Sequence, residues 1–111
     1  MIDAPILALN YYRRGWLSPG KFIAAVGVLR DLELTASACH DPARLVDARS
    51  RLATVRKTLT DEQFDLVTNF VQDANPSSWA KLNGLAQRDG LPKLRAALAR
   101  LTAIYVEDDT E

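Results

Sequence analysis

Apolar residues recur along this chain at intervals of three and four, the spacing that puts side chains on one face of an α-helix. The most regular series lies near the end of the sequence and consists of Leu91, Leu94, Leu98, Leu101 and Tyr105. No stretch alternates with the two-residue period of a half-buried strand over a strand's length. The pattern therefore predicts an all-α fold, a compact bundle of five to six short helices ending in a helix-turn-helix-like pair.

Four helices are predicted upstream of that series, because each apolar face follows a residue suited to cap a helix. The predicted caps are Asp3, Ser18, Asp41 and Thr60. The predicted buried residues, helix by helix, are Ile6, Leu9, Tyr12 and Trp16; Phe22, Ala25, Val26, Leu29 and Leu32; Leu45, Ala48, Leu52, Val55 and Leu59; and Phe64, Val67, Phe70 and Val71. Thr60 and Gln63 match the capping-box pattern, so the fourth start is the best defined.

Two features of these helices predict how they pack. Gly27 stands inside the second helix at a cost of about 1 kcal/mol relative to alanine, so we expect another helix to approach it closely. In the third helix Asp47 precedes Arg51 by four residues and is expected to pair with it. The other arginines of that helix flank its apolar face and are expected to cover its edges; they are Arg44, Arg49 and Arg56.

The stretch 76–105 is predicted to form two helices with a tight break between them, which is a helix-turn-helix pattern. Ser77 or Ser78 would cap the first helix. The predicted buried residues of that helix are Trp79, Leu82, Leu85 and Ala86. The segment 88–90 would end it with Gly90 in the left-handed conformation, and the second helix would begin at Pro92.

The net charge is zero, with fourteen basic and fourteen acidic side chains, which weakens the general argument for a nucleic-acid partner. The distribution is uneven, however. Residues 41–60 carry five basic and two acidic groups, residues 61–75 none and four, and residues 76–106 five and one. A basic surface patch is therefore compatible with the neutral total, although such runs are usually solvated helix faces.

Length and composition predict one helical domain over residues 1–106, followed by an acidic tail over 107–111 that we expect to fray. We find neither a secretion signal nor an apolar run long enough to span a membrane. The lone cysteine, Cys39, fits a reducing compartment. These features predict a cytoplasmic protein with no membrane partner.

Residues that carry chemistry are few. Cys39 and His40 are the lone cysteine and histidine, whereas a metal site needs three or four ligands. Asp61, Glu62 and Asp65 cluster at a helix start, where capping and the helix dipole explain them. The five glycines match no nucleotide-binding pattern. We therefore predict a protein that is not an enzyme and uses no cofactor or metal, and we assign no role to Cys39 or His40.

The last helix carries the candidate binding surface, on the side opposite its leucines. This surface consists of Ala96, Ala99 and Ala103, with Lys93 and Arg100 along one edge and Arg95 along the other. In a major groove, Lys93 and Arg95 would reach bases, and Arg100 or Arg88 would reach phosphate. The alternative is that the alanines only fill exposed helix positions and the cations keep the surface soluble.

Residues 13–25 (RRGWLSPGKFIAA) and 82–105 resemble an uncharacterised helical domain of alphaproteobacterial, phage-derived regulators, found at the C-terminal end of some gene-transfer-agent regulators. The closing helix of that family matches Leu94, Ala97, Leu98, Leu101 and Tyr105. The resemblance implies a small helical domain ending in a sigma-factor region-four-like helix-turn-helix. Asp89 departs from that pattern, because a helix-turn-helix usually has an apolar residue before the turn glycine.

Two functional hypotheses follow. The first is a small phage- or prophage-related regulatory module that binds double-stranded DNA, or RNA polymerase or a sigma factor, through residues 77–105. The second is a helical interaction or adaptor domain that binds only protein, including a second copy of itself through the small alanines. The candidate site residues are Arg88, Lys93, Arg95, Ala96, Ala99 and Arg100.

Overall fold

The computed structural model describes residues 6–36 and 41–106, which contain six α-helices and no strand. The helices are α1 (Ile6–Arg13), α2 (Pro19–Ala36), α3 (Pro42–Thr58), α4 (Asp61–Val71), α5 (Pro76–Leu82) and α6 (Gly90–Tyr105), and one turn of 3-10 helix, Gln87–Asp89, precedes α6. The all-α prediction is confirmed. The predicted cap Asp3 and the predicted acidic tail, 107–111, lie outside the described residues.

The helices α2, α3, α4 and α5 all pack against α6, and four of its side chains belong to the buried core, so we call α6 the central helix. Leu94, Leu98 and Leu101 on its inner side have no exposed surface. Burial of a leucine side chain contributes about 1.5–3 kcal/mol, so this stripe is a main source of the stability of the fold. At the end of α6 the ring of Tyr105 lies where a β-carbon on Gly27 would stand, which confirms the predicted close approach at that glycine.

Three helix starts have the predicted capping residues. At the start of α2, Ser18 Oγ accepts a hydrogen bond from the N–H of Lys21 at 3.3 Å. The Asp41 side chain accepts hydrogen bonds from the backbone N–H groups of Ala43 and Arg44 at the start of α3. At the start of α4, Thr60 Oγ1 accepts from the N–H of Gln63, and Gln63 Oε1 accepts from the N–H of Thr60, both at 3.1 Å. These bonds satisfy N–H groups that the first turn of a helix leaves without partners, and each such cap contributes about 1 kcal/mol.

The buried face of α1 is not the predicted one. Tyr11 is buried, with its ring 5.4 Å from that of Phe70 in α4. Ile6 is instead 69% exposed, and Tyr12 and Trp16 are each 38% exposed. Because α1 has only about two turns, apolar residues spaced by three and four positions occur on two neighbouring faces of this helix. The contact with α4 buries the face that carries Tyr11.

The predicted boundaries of α5 were also wrong. Asn75 caps this helix in place of Ser77 or Ser78, since Asn75 Oδ1 accepts from the N–H of Ser77 at 2.7 Å. The helix stops at Leu82, whose side chain is 86% exposed and not buried as predicted. The chain turns away immediately afterwards at Gly84, which has a φ of 75°.

The connection from α5 to α6 is longer than the predicted tight break. Residues 83–89 separate the two helices, and Ala86 among them is exposed and not buried. Gly90 is not left-handed; it is the first residue of α6, with a φ of −62°. A β-carbon at Gly90 would collide with the carbonyl of Pro76, so glycine here lets α6 begin directly against α5. The helix-turn-helix arrangement of this pair stays a prediction.

Candidate functional site

The outer side of α6 is exposed, as the position of the leucine stripe predicts. Ala96, Ala99 and Ala103 all lie on this side and are exposed to solvent. We call these three alanines the α6 strip. Because alanine adds only a β-carbon to the helix surface, the strip is a narrow and flat area along the central helix.

One edge of the strip, facing α4, carries two of the candidate cations. Lys93 Nζ lies 3.5 Å from Glu62 Oε1, and Arg100 Nη1 donates a hydrogen bond to Gln63 Oε1 at 3.4 Å. Both contacts are long and exposed. A surface ion pair of this kind contributes about 0–1 kcal/mol. These cations therefore have acceptors within their own chain but are held weakly.

Beside this edge, a shallow cavity of about 270 Å³ lies between α6 and the start of α4. It is lined by Thr60, Glu62, Gln63, Leu66, Lys93 and Ala96. Pockets for small molecules usually have roughly 300–1,000 Å³ and mostly apolar walls. The smaller volume and the polar lining make this cavity a depression next to the α6 strip and a poor match to a cofactor pocket.

The opposite edge of the strip is formed by the connection between α1 and α2. Arg95 Nε donates a hydrogen bond of 2.7 Å to the backbone carbonyl of Trp16. The Trp16 indole meets the Tyr11 ring edge-on at 5.1 Å, and the Arg14 guanidinium lies 5.1 Å from the centre of the indole. Trp16 was predicted to be buried, and this prediction was wrong, because the residue lies partly exposed at the surface. The signal that places it outside α1 is Gly15, which is left-handed with a φ of 79°.

Arg88, the remaining candidate, is not on α6. It lies in the turn of 3-10 helix that precedes α6 and is exposed, without a hydrogen bond or ion pair from its side chain to any described residue. Its neighbour Asp89 is exposed as well and makes no side-chain capping bond to α6. The structure thus places the other five candidates along α6 and leaves Arg88 before its first turn.

A buried polar cluster that the sequence did not predict links three helices. Arg51 of α3 donates two hydrogen bonds to Asp31 of α2, at 2.9 and 2.8 Å, and the Tyr105 hydroxyl of α6 donates to the same carboxylate at 2.7 Å. Asp31 is only 2% exposed. Arg51 therefore pairs with Asp31 and not with Asp47, because the packing of α2 on α3 brings a buried carboxylate within reach.

The same cluster shifts the pKa values of both donors. The hydrogen bond to Asp31 raises the pKa of the Arg51 guanidinium. Burial, and after it the hydrogen bond to Asp31, raises the pKa of the Tyr105 hydroxyl well above its ordinary value. Both groups therefore keep their protons at neutral pH. The arrangement holds the end of α6 against α2 and α3, which is a structural role.

Further chemistry is sparse in the part of the chain that the structure describes. Residues 6–36 and 41–106 contain no group of three or more His, Cys, Asp or Glu side chains that could hold a metal ion. None of the helices in these ranges combines the length and the apolar character needed to cross a membrane. Cys39 and His40 lie outside the described residues. Comparison with protein-family models, with curated proteins and with solved structures found no match.

Proposed function

We propose that this chain is a small helical interaction module that binds a protein partner through the α6 strip. One observation carries the proposal: the alanines of the central helix are exposed while the cations at their edges already contact their own chain. A helix that reads a DNA groove needs side chains directed at bases and phosphates. A helix that receives a protein needs an accessible surface with complementary edges, and the α6 strip meets this requirement better.

The shape of the strip suits a helix from the partner. Packed helices lie about 8–10 Å apart, and small side chains at the contact permit the shorter distances. Trp16 and Arg95 border the strip on one side, and Glu62 and Lys93 border it on the other. A partner helix would lie along α6 between these two edges, with its apolar side on the alanines.

Trp16 is the expected anchor of the interface. Tryptophan, tyrosine and arginine supply most of the binding energy at protein interfaces. The guanidinium of Arg14 lies over the exposed indole of Trp16, and Arg95 bonds the backbone carbonyl of the same residue. The opposite edge combines the carboxylate of Glu62 with the cations Lys93 and Arg100, whereas the described part of the Trp16 edge carries arginines without a carboxylate. This difference in charge pattern would favour one orientation of the partner helix.

A second candidate is a phage- or prophage-related regulator that binds DNA, or RNA polymerase or a sigma factor, through residues 77–105. Arg88 supports it, because this side chain is exposed and contacts no described residue. The long contacts of Lys93 and Arg100 also support it, since weak surface contacts are readily exchanged for phosphate. The resemblance of residues 13–25 and 82–105 to phage-derived regulators points to the same partners, with RNA polymerase or a sigma factor as the protein that occupies the strip.

The substitution Ala99→Gln tests protein binding at the strip. Glutamine is a good helix former and adds no charge, but its side chain fills the flat surface. Ala53→Gln, at an exposed alanine of α3, is the matched control. Binding to purified RNA polymerase and sigma factor is measured by surface plasmon resonance, and self-association by sedimentation velocity. We expect Ala99→Gln to weaken the detected complex at least tenfold and Ala53→Gln to leave it unchanged.

The other results are equally informative. Equal binding by both variants would show that the strip is not the interface. A gel-shift titration with duplex DNA at low salt separates the second candidate, because a DNA complex weakened by Ala99→Gln would assign the strip to DNA. A dimer that Ala99→Gln dissociates would make the partner a second copy of this chain.

A further inference from the structure

The cations of α3 have a different environment from those at the edges of the α6 strip. Arg49, Arg56 and Lys57 are all exposed. Within the described part of the chain, none of the three forms an ion pair, since the two ion pairs there involve Arg51 and Lys93. Arg56 lies over the ring of Phe64, 4.7 Å from its centre, which leaves its charge uncompensated. Three positive charges on one helix therefore face solvent without carboxylate partners.

Helix geometry places these charges on one side. Arg49 and Arg56 are seven residues apart, which is two turns or about 10.5 Å along the axis. Lys57 follows Arg56 further around the same outer side. Asp47, the acidic residue inside α3, is two residues from Arg49 and therefore about 200° around the helix from it. Arg51 pairs with Asp31, and neither Asp31 nor Asp47 forms an ion pair with Arg49, Arg56 or Lys57.

The outer side of α3 is exposed along the length of the helix. We call it the α3 outer face, and it consists of Val46, Arg49, Ser50, Ala53, Arg56 and Lys57, all of them exposed. An α-helix with its side chains is about 10–12 Å across, and the major groove of B-DNA is about 12 Å wide. Because α3 packs against the bundle along its inner side only, its outer face can approach such a groove without rearrangement of the fold.

We propose that the α3 outer face binds the phosphate backbone of duplex DNA. The guanidinium groups of Arg49 and Arg56 match phosphate because they donate two parallel hydrogen bonds, and Lys57 adds a third charge. The hydroxyl of Ser50 is a further donor of the type that contacts phosphate. This binding would be independent of the α6 strip and of the protein partner proposed for it.

Two other anionic partners fit the face less well. Helices that lie on membranes insert a broad apolar face, whereas Val46 is the one large apolar residue of this surface, with 61% of its area exposed. Acidic protein segments offer carboxylates, but tight protein interfaces also need a cluster of aromatic or aliphatic anchors, and the α3 outer face offers Val46 alone. Repeated phosphates supply charge without requiring such anchors.

Binding of this kind would be independent of DNA sequence and sensitive to salt. Each phosphate neutralised on B-DNA contributes about −0.9 to the slope of log K against log salt concentration. Three contacts give a slope of about −2.7, so the affinity should fall about 40-fold between 50 and 200 mM salt. A measured slope near −2.7 would therefore indicate about three phosphate contacts.

The test is fluorescence anisotropy with the whole chain and a labelled 20-base-pair duplex of mixed sequence. The variant Arg49→Gln/Lys57→Gln removes two charges that contact nothing in the described structure, so the fold should be retained. Arg13→Gln/Arg30→Gln removes the same charge from exposed positions of α1 and α2 that have no side-chain hydrogen bond or ion pair with any described residue, and is the matched control. We expect the α3 variant to bind at least tenfold more weakly at 50 mM salt, with a slope smaller by about 1.8, and the control to stay within threefold of the wild type.

Several results would overturn the proposal. These are no duplex binding at 25 mM salt, equal loss in the α3 variant and the control, or loss in an Arg88→Gln/Arg100→Gln variant while the α3 variant binds normally, which would move DNA contact to the α6 region. Binding to polyglutamate or to phosphatidylserine vesicles in the absence of duplex binding would also overturn it. Thermal unfolding within about 2 °C of the wild type verifies that the variants are folded. The binding of Ala99→Gln to its protein partner is measured separately, so failure at α3 and failure at the strip are distinguishable.

Discussion

The helices α3 and α6 are nearly equal in length, and each combines an apolar stripe with several cations, yet they occupy opposite places in the fold. Four helices surround α6, and its leucines have no exposed surface. In α3 the fully buried residues are the smaller Ala48 and Val55, while Leu45 and Leu52 remain half-buried. The cations beside the α6 strip have oxygen acceptors within their own chain, whereas those of the α3 outer face have none among the described residues.

The apolar residues of both helices repeat at intervals of three and four, so this spacing alone does not identify the centre of the core. The difference lies in which residues are buried, large leucines in α6 and the smaller Ala48 and Val55 in α3. A central helix has neighbours on most sides, so cations at its edges find acceptors such as Glu62, Gln63 and the carbonyl of Trp16. A peripheral helix has fewer neighbours and leaves its cations to solvent or to a partner. The two surfaces therefore suit different partners, a protein helix at the strip and phosphates at α3.

The largest effect expected from this comparison is on stability. Leu98→Ala should destabilise the protein by about 3–5 kcal/mol, because it leaves a cavity at a site with no exposed surface. Leu45→Ala, the same change at a half-buried position of α3, should lower the free energy of unfolding by about 1 kcal/mol. Urea denaturation at pH 7 measures both values. Equal losses would contradict the distinction between a central and a peripheral helix.

A smaller effect is expected at the contact that joins the two helices. Arg51→Ala should destabilise the fold by about 2–3 kcal/mol, because Asp31 would stay buried with Tyr105 as its remaining partner. We place the value below that of a fully buried pair because the Arg51 side chain is 39% exposed. Arg49→Ala, on the outer face of the same helix, should change the free energy of unfolding by less than about 0.5 kcal/mol. A loss at Arg49 as large as that at Arg51 would show that the outer face has a structural role.

The sequence predicted those parts of the fold that local chemistry determines. The all-α class, the cap at Asp41 and the capping box at Thr60 depend on residues within three positions of each other, and all three predictions were confirmed. The predictions of the inner face of α1 and of the end of α5 were wrong, because both features depend on which neighbouring helix each one packs against. The sequence indicated that Gly90 has a structural role, but it predicted the wrong one. The observed role depends on the carbonyl of Pro76 in another helix, which leaves no space for a β-carbon.

The candidate site was predictable to a similar extent. Exposure of the alanines follows from the leucine stripe on the opposite side of the same helix. The contacts of the neighbouring cations could not be predicted from the sequence. Lys93, Arg100 and Arg95 bond residues that lie 31, 37 and 79 positions away along the chain. The partner of Arg51 was wrongly predicted for the same reason. The sequence offers Asp47 four residues away, whereas tertiary packing brings Asp31 of α2 into contact.

The smallest expected effect concerns the contact between the end of α6 and the same carboxylate. Burial and the hydrogen bond to Asp31 raise the pKa of Tyr105 above 10, its value in an unfolded chain. The folded state therefore keeps this proton where the unfolded state loses it, so its stabilising contribution is complete below about pH 10 and is lost as pH rises further. Between pH 9 and 11 the wild type should lose about 1.4 kcal/mol more than Tyr105→Phe, measured by urea denaturation at each pH. Tyr12→Phe, which removes an exposed hydroxyl, should behave as the wild type does; if Tyr105→Phe does so too, the end of α6 is not tied to Asp31 in solution.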